Sequence, residues 1–144
     1  PPLGYVLGDE GGGVHLGRNL LNGIFKGHIP LKEEFLAATG LSYEEIIRRV
    51  YREPYANRFL ASFAPFILAH TDCPEVREMV RRSFGEFATR NLSRYPQGLP
   101  VSFVGGIAAR FGELLRETLE AEGYRIGTIV ESPAEGLLKY HHGR

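Results

Sequence analysis

The run LPVSFVGGIAARFGELLRETLEAEGYRIGTIV, residues 99–130, constrains the fold more than any other part of the chain. Its first eight residues, 99–106, are short, rich in β-branched side chains and closed by two glycines, which reads as a buried strand. A helical period follows over 107–122, with Phe111, Leu114, Leu115 and Leu119 inward, and Gly123 is a natural stop. YRIGTIV, 124–130, is a second strand. Strand, helix and strand within about thirty residues form a β-α-β unit, which predicts parallel strands and a right-handed crossover.

Upstream of that unit the chain reads as helices. Residues 13–26 carry Val14, Leu16, Leu20, Leu21, Ile24 and Phe25 close to a helical period, and Gly27 and Pro30 end the segment. Residues 31–39 form a short helix with Leu31, Phe35 and Leu36 on one face, stopped by Gly40. Ser42 followed by Glu45 is a capping-box signature for a helix over 43–52, with Tyr43, Ile46, Ile47 and Val50 as its apolar face. Residues 55–70 repeat Phe59, Leu60, Phe63, Phe66 and Ile67 at helical spacing, and Pro65 predicts a kink or break. Asp72 caps the next helix in this reading, with Pro74 in its first turn and Val76, Val80, Phe84 and Phe87 inward as far as Tyr95. Ser132 and Pro133 start a last helix carrying Leu137 and Leu138.

The 144 residues fit one domain, 1–144, and their 43% hydrophobic content allows a real core. Seventeen basic side chains balance seventeen acidic ones. A neutral chain is poorly suited to unspecific binding of nucleic acid or of an anionic membrane, since both depend on a positive field. No apolar run approaches the ~18 residues of a membrane span, and no signal peptide is expected. The single cysteine, Cys73, cannot form an internal disulfide, which favours a reducing, cytoplasmic setting. The chain opens Pro-Pro-Leu without a Met, so it is expected to be a segment of a longer protein.

Two places carry candidate chemistry. The first is the turn Gly8-Asp9-Glu10-Gly11. Its carboxylates act either as cap or dipole partners of the helix that follows, or as hydrogen-bond acceptors presented on a flexible turn to neighbouring hydroxyls. The second is Val104-Gly105-Gly106-Ile107-Ala108, where two glycines let a ligand approach the backbone and a helix start offers amide donors. It lacks the Lys-Ser/Thr ending of a Walker loop. No metal site is expected. His141 and His142 are adjacent and do not share a helix face, while His15, His28 and His70 have no partner at ligand spacing. Arg77, Arg81 and Arg82 read as the wet face of a helix.

Taken together, GYVLGDEGGGVHLGRNLL, VYREPYANRFLASFAPFI, VSFVGGIAARFGELLRETLEAEGYRIG and SPAEGLLKYH resemble the N-acetylglucosamine kinase and BadF/BadG/BcrA/BcrD-type ATPase family. That family belongs to the actin-like, ribonuclease-H-like superfamily of sugar kinases. The resemblance runs through nearly the whole chain and corresponds to the C-terminal lobe of a two-lobed fold, minus its first strands. It implies an α/β lobe, helix-rich, with a short parallel β-α-β unit. It also implies ATP and Mg²⁺ as cofactors and an amino-sugar hydroxyl as phosphate acceptor. Asp9 matches the aspartate that hydrogen-bonds sugar hydroxyls, with Glu10 beside it. Gly105 and Gly106 match the adenosine motif, and Ile107 and Ala108 open the helix beside the nucleotide.

The departures also carry weight. The kinases often have a Trp six residues before the turn's Asp, where Leu3 stands here, so the sugar stays open. Neither phosphate loop nor the catalytic aspartate is in this chain, and no catalytic residue is assigned within it. Phosphoryl transfer depends on those parts, so these residues alone are expected to be inactive. The expected partners are the remainder of the polypeptide and a small sugar, with a homodimer left open. An ATPase activator of a dehydratase needs four thiolates for its cluster, and a dimer here supplies two. A non-catalytic nucleotide- or sugar-sensing domain is the other alternative.

Overall fold

The computed structural model describes residues 10–96 and 98–132. The chain divides into two compact units, Pro1–Ser83 and Phe84–Arg144, with the boundary inside one helix. The elements are α1 (Gly13–Phe25), α2 (Lys32–Thr39), α3 (Tyr43–Tyr51), α4 (Ala56–Ala61), α5 (Ala64–Ala69), α6 (Pro74–Phe87), β1 (Pro100–Val104), α7 (Gly106–Arg110), α8 (Gly112–Ala121) and β2 (Arg125–Val130). The chain is therefore a helix-rich α/β protein with a two-stranded parallel sheet. The last helix expected from Ser132-Pro133 lies outside the described residues, apart from Ser132.

In the first unit, α1 buries Leu16, Leu20 and Ile24, one stripe at four-residue spacing. Its glycines have separate uses. A Cβ on Gly17 would lie 1.9 Å from the Leu60 carbonyl oxygen, so only glycine lets α1 approach α4 this closely. Phe35 on α2 is fully buried, with its ring edge-on to Phe63 at 5.2 Å and to Phe66 at 5.3 Å. Such pairs contribute about 0.5–1.5 kcal/mol beyond their buried area. Gly40, at φ +67°, ends α2.

The capping box forms as the sequence predicts: Ser42 Oγ accepts from Glu45 N–H, and Glu45 Oε1 accepts from Ser42 N–H. The apolar face of α3 does not all enter the core. Ile46 is buried, but Tyr43 is 51% exposed and Ile47 36%. They line an open groove of ≈ 670 Å³ between α3 and α1, whose floor includes Leu21 and Leu60.

The segment 55–70 breaks as expected, though two residues before Pro65. Its second helix starts at Ala64, which places the proline in a first turn, where its missing N–H costs nothing. The next helix begins at Pro74, so Cys73, not Asp72, precedes it, and the Cys73 carbonyl accepts from Arg77 N–H. Its α-helical part also stops at Phe87, short of Tyr95. A single π-turn, Ala88–Leu92, follows, closed by Ser93 N–H onto the Ala88 carbonyl.

In the second unit the strands pair in parallel, Val101 opposite Ile126 and Phe103 opposite Ile129. Ser102 of β1 thus faces two residues of β2, Gly127 and Thr128. The extra residue is accommodated by Ser102 Oγ, which accepts from Thr128 N–H at 3.1 Å. Gly127 leaves room for it, because a Cβ would lie 2.7 Å from that hydroxyl and displace it from the Thr128 amide. The single helix expected over 107–122 is two. Phe111, at φ −100° and ψ +22°, leaves the helical region, and its ring is buried against Phe84. The break costs little, since Phe111 N–H still reaches the Ile107 carbonyl and Leu115 N–H the Phe111 carbonyl.

Candidate functional site

The glycine turn of the first unit leads straight into α1. Asp9 lies outside the described residues; Glu10 is half-buried. Gly11 has φ +79°, a conformation that side chains with a Cβ rarely adopt. Gly12, in extended conformation, is the N-cap of α1, and its carbonyl accepts from Leu16 N–H. A glycine at that position has no side chain to cap the helix.

Behind the turn lies a polar cluster that the sequence did not reveal. Gly11 N–H donates to Ser83 Oγ at 3.0 Å, and Ser83 Oγ stands 2.6 Å from His15 Nδ1. Both side chains are buried. Sequence reasoning dismissed His15 because no ligand-spaced partner stands near it in the chain; Ser83 is 68 residues away. A signal was present. Ser83 falls three residues after Val80 and seven after Val76, on the inward stripe of α6, where a polar group needs a partner.

In the second unit, Gly105 has φ +135° and ψ +164°, a region essentially restricted to glycine. Its N–H continues the strand pairing by donating to the Val130 carbonyl at 2.9 Å. That amide is therefore used by the sheet. Ala109 N–H donates to the Gly105 carbonyl and starts the ladder of α7, so helix geometry leaves the amides of Gly106, Ile107 and Ala108 without an intrahelical acceptor. A Cβ on Gly105 or on Gly106 would meet nothing within 4 Å. The backbone here has open space beside it, which fits a flat group lying on the chain. Ile107 is half-buried, and the Ala108 side chain is buried, so Ala108 could meet a ligand only through its backbone.

The remaining sequence candidates are structural in this arrangement. His70 Nδ1 is 2.7 Å from the Phe66 carbonyl oxygen, and its ring stacks on Phe66. Cys73 Sγ donates to Glu75 Oε2 at 3.2 Å, and this bond, chiefly, holds the Glu75 carboxyl below its usual range. Arg77 and Arg82 are exposed and Arg81 half-buried. His141 and His142 lie outside the described residues. Among the described residues no group of three or more His, Cys, Asp or Glu could hold a metal ion, and no helix is long and apolar enough to cross a membrane.

No protein-family model and no curated protein matches the chain. A solved structure does: a protein from Porphyromonas gingivalis described as a putative N-acetylglucosamine kinase, 45% identical, with a TM-score of 0.94. The match covers 99% of this chain and 52% of that one, so the chain spans about half the length of the protein it matches. The resemblance read from the sequence is thereby borne out: over nearly its whole length, this chain is similar to part of a protein described as a putative N-acetylglucosamine kinase.

Proposed function

We propose that this chain is part of an ATP-dependent sugar kinase that transfers the γ-phosphoryl group to a hydroxyl of N-acetylglucosamine or a similar amino sugar. The observation that carries the reading is the 45% identity and TM-score of 0.94 to a protein described as a putative N-acetylglucosamine kinase, sustained over 99% of the chain. The fold assigned with it is the C-terminal lobe of an actin-like, ribonuclease-H-like kinase. The two-stranded sheet supports that assignment. Among the described residues β1 pairs only with β2, so each strand has an outer edge on which a larger sheet could continue.

The chemistry divides between the two glycine turns. Asp9 and Glu10 bind acceptor hydroxyls, because a carboxylate accepts several hydrogen bonds and suits neighbouring hydroxyl donors. Gly105, Gly106 and the opening of α7 lie against the adenosine of ATP. The open space at both glycines and the amides of 106–108, which have no acceptor within the helix, support this. Mg²⁺ would accompany the phosphates, whose binding loops are assigned to the remainder of the polypeptide. Catalysis needs those parts, and the 144 residues alone should show no turnover.

The test is a phosphorylation screen of the full-length protein against a panel of amino sugars, with ATP and Mg²⁺. ATP-dependent formation of a sugar phosphate is expected. ATP binding without transfer to any sugar of the panel would favour the sensing domain instead.

A further inference from the structure

Ser83, from a distant part of the first unit, meets Gly11 and His15 behind the Glu10–Gly11 peptide. Gly11 N–H can only donate, so at 3.0 Å Ser83 Oγ accepts from it. The serine keeps one proton to give, and His15 Nδ1 is 2.6 Å away. The amide nitrogen of Asn19 also faces Nδ1, at 3.5 Å. An amide nitrogen has only protons to offer. With the Asn19 nitrogen facing it, Nδ1 carries no proton; the Ser83 hydroxyl then donates to Nδ1, and a neutral imidazole holds its proton on Nε2. The bonds run in one direction, from Gly11 N–H through the Ser83 hydroxyl to His15 Nδ1, and each polarises the next.

A serine beside a histidine invites a hydrolytic reading, which the geometry does not support. Ser83 is 1% exposed, and its oxygen already serves a backbone amide. The pair faces the turn and not a substrate. The peptide unit is planar, so fixing Gly11 N–H also fixes the direction of the Glu10 carbonyl. A glycine at φ +79° has many alternative conformations, and an external tie selects among them.

We propose that His15 and Ser83 are positioning residues for the acceptor site: together they hold the Glu10–Gly11 peptide and so set how the glycine turn presents its carboxylates to the sugar. This rests on the acceptor-site reading of the turn. His15 and Ser83 do not touch the sugar; they act through Gly11.

The test uses the full-length protein with N-acetylglucosamine and Mg-ATP, together with amide hydrogen exchange at Gly11. Ser83→Ala should speed Gly11 exchange roughly tenfold or more, because the amide loses its acceptor. It should raise the KM for the sugar about five- to tenfold, the size of one hydrogen bond, and leave the KM for ATP within about twofold. His15 supplies a second, internally controlled pair. The side-chain oxygen of His15→Asn stands near the place of Nδ1 and should restore the sugar KM. His15→Gln reaches toward the place of Nε2 and should not. This pair stays decisive if Ser83→Ala fails to fold. Unchanged Gly11 exchange in Ser83→Ala would overturn the proposal. So would faster exchange with an unchanged sugar KM, or an equal rise in both KM values, which marks general loosening. Equal behaviour of the Asn and Gln variants would overturn it as well. If Asp9→Asn and Glu10→Gln leave the sugar KM unmoved, the acceptor reading itself has failed and the positioning role falls with it. Gly11 exchange would still report whether the tie exists.

Discussion

The two glycine turns each feed a helix, and they are held in opposite ways. The turn at Gly11 is tied through side chains: Ser83, 72 residues away, takes its amide, and His15 completes the bond. Among the described residues the turn at Gly105 is tied by backbone, through the Val130 carbonyl, and has open space around it. A turn held by a buried polar pair should respond to substitutions far from it in sequence. A turn held by sheet pairing should respond mainly to changes at its own glycines. The first arrangement suits the orientation of charged side chains; the second suits a backbone left bare for a flat ligand.

The largest expected effect tests what supports the first turn. Gly17→Ala puts a methyl group 1.9 Å from the Leu60 carbonyl oxygen, and neither backbone can yield without moving α1 off α4. Overpacking of this kind should cost about 3 kcal/mol, read as a lower midpoint in urea unfolding. Gly85→Ala, also inside a helix but with nothing within 4 Å of the new methyl, should stabilise by about 0.5–1 kcal/mol. If both variants shift the midpoint alike, close helix approach does not govern the first unit.

The next effect is on the proposed chemistry. Asp9→Asn in the full-length protein keeps the shape and one acceptor oxygen but removes the charge. A charge-assisted hydrogen bond contributes about 1.5–3 kcal/mol, so kcat/KM should fall roughly 10- to 150-fold. Most of the loss should appear in the KM of the sugar, with that of ATP little changed. A collapse of kcat at constant KM would make Asp9 a chemical participant, and no change at all would return the turn to a structural role.

How much of this was legible in the sequence follows the range of the forces involved. The parallel pairing of the two strands was legible in the strand–helix–strand order, and the capping box at Ser42 and the stop at Gly40, set by neighbours within a few residues, formed as read. The break at Phe111 is set by the packing of its ring against Phe84, 27 positions earlier, and periodicity alone passes over it. The apolar face of α3 was legible as a face, but amphipathicity cannot tell a core from the open groove that part of it lines. Of the site, both glycine turns were visible as punctuation. The Ser83–His15 pair was not, since its bond spans 68 residues, although a serine on an inward stripe was a clue.

A smaller effect separates the two glycines of the second turn. At φ +135° and ψ +164°, Gly105 cannot be replaced without strain, so Gly105→Ala should cost about 1–3 kcal/mol, although the methyl itself meets nothing. Gly106 is the first residue of α7, has no such backbone demand and also faces open space. Gly106→Val should therefore leave the unfolding midpoint almost unchanged while its two methyls fill the space assigned to the nucleotide. Weaker ATP binding at unchanged stability, measured by calorimetric titration of the full-length protein, is the expected result. Unchanged affinity would remove Gly106 from the nucleotide site and reduce the second turn to a strand-to-helix connection. Lost stability in Gly106→Val would show that its space belongs to the fold, and the contrast between the two turns would then rest on Gly105 alone.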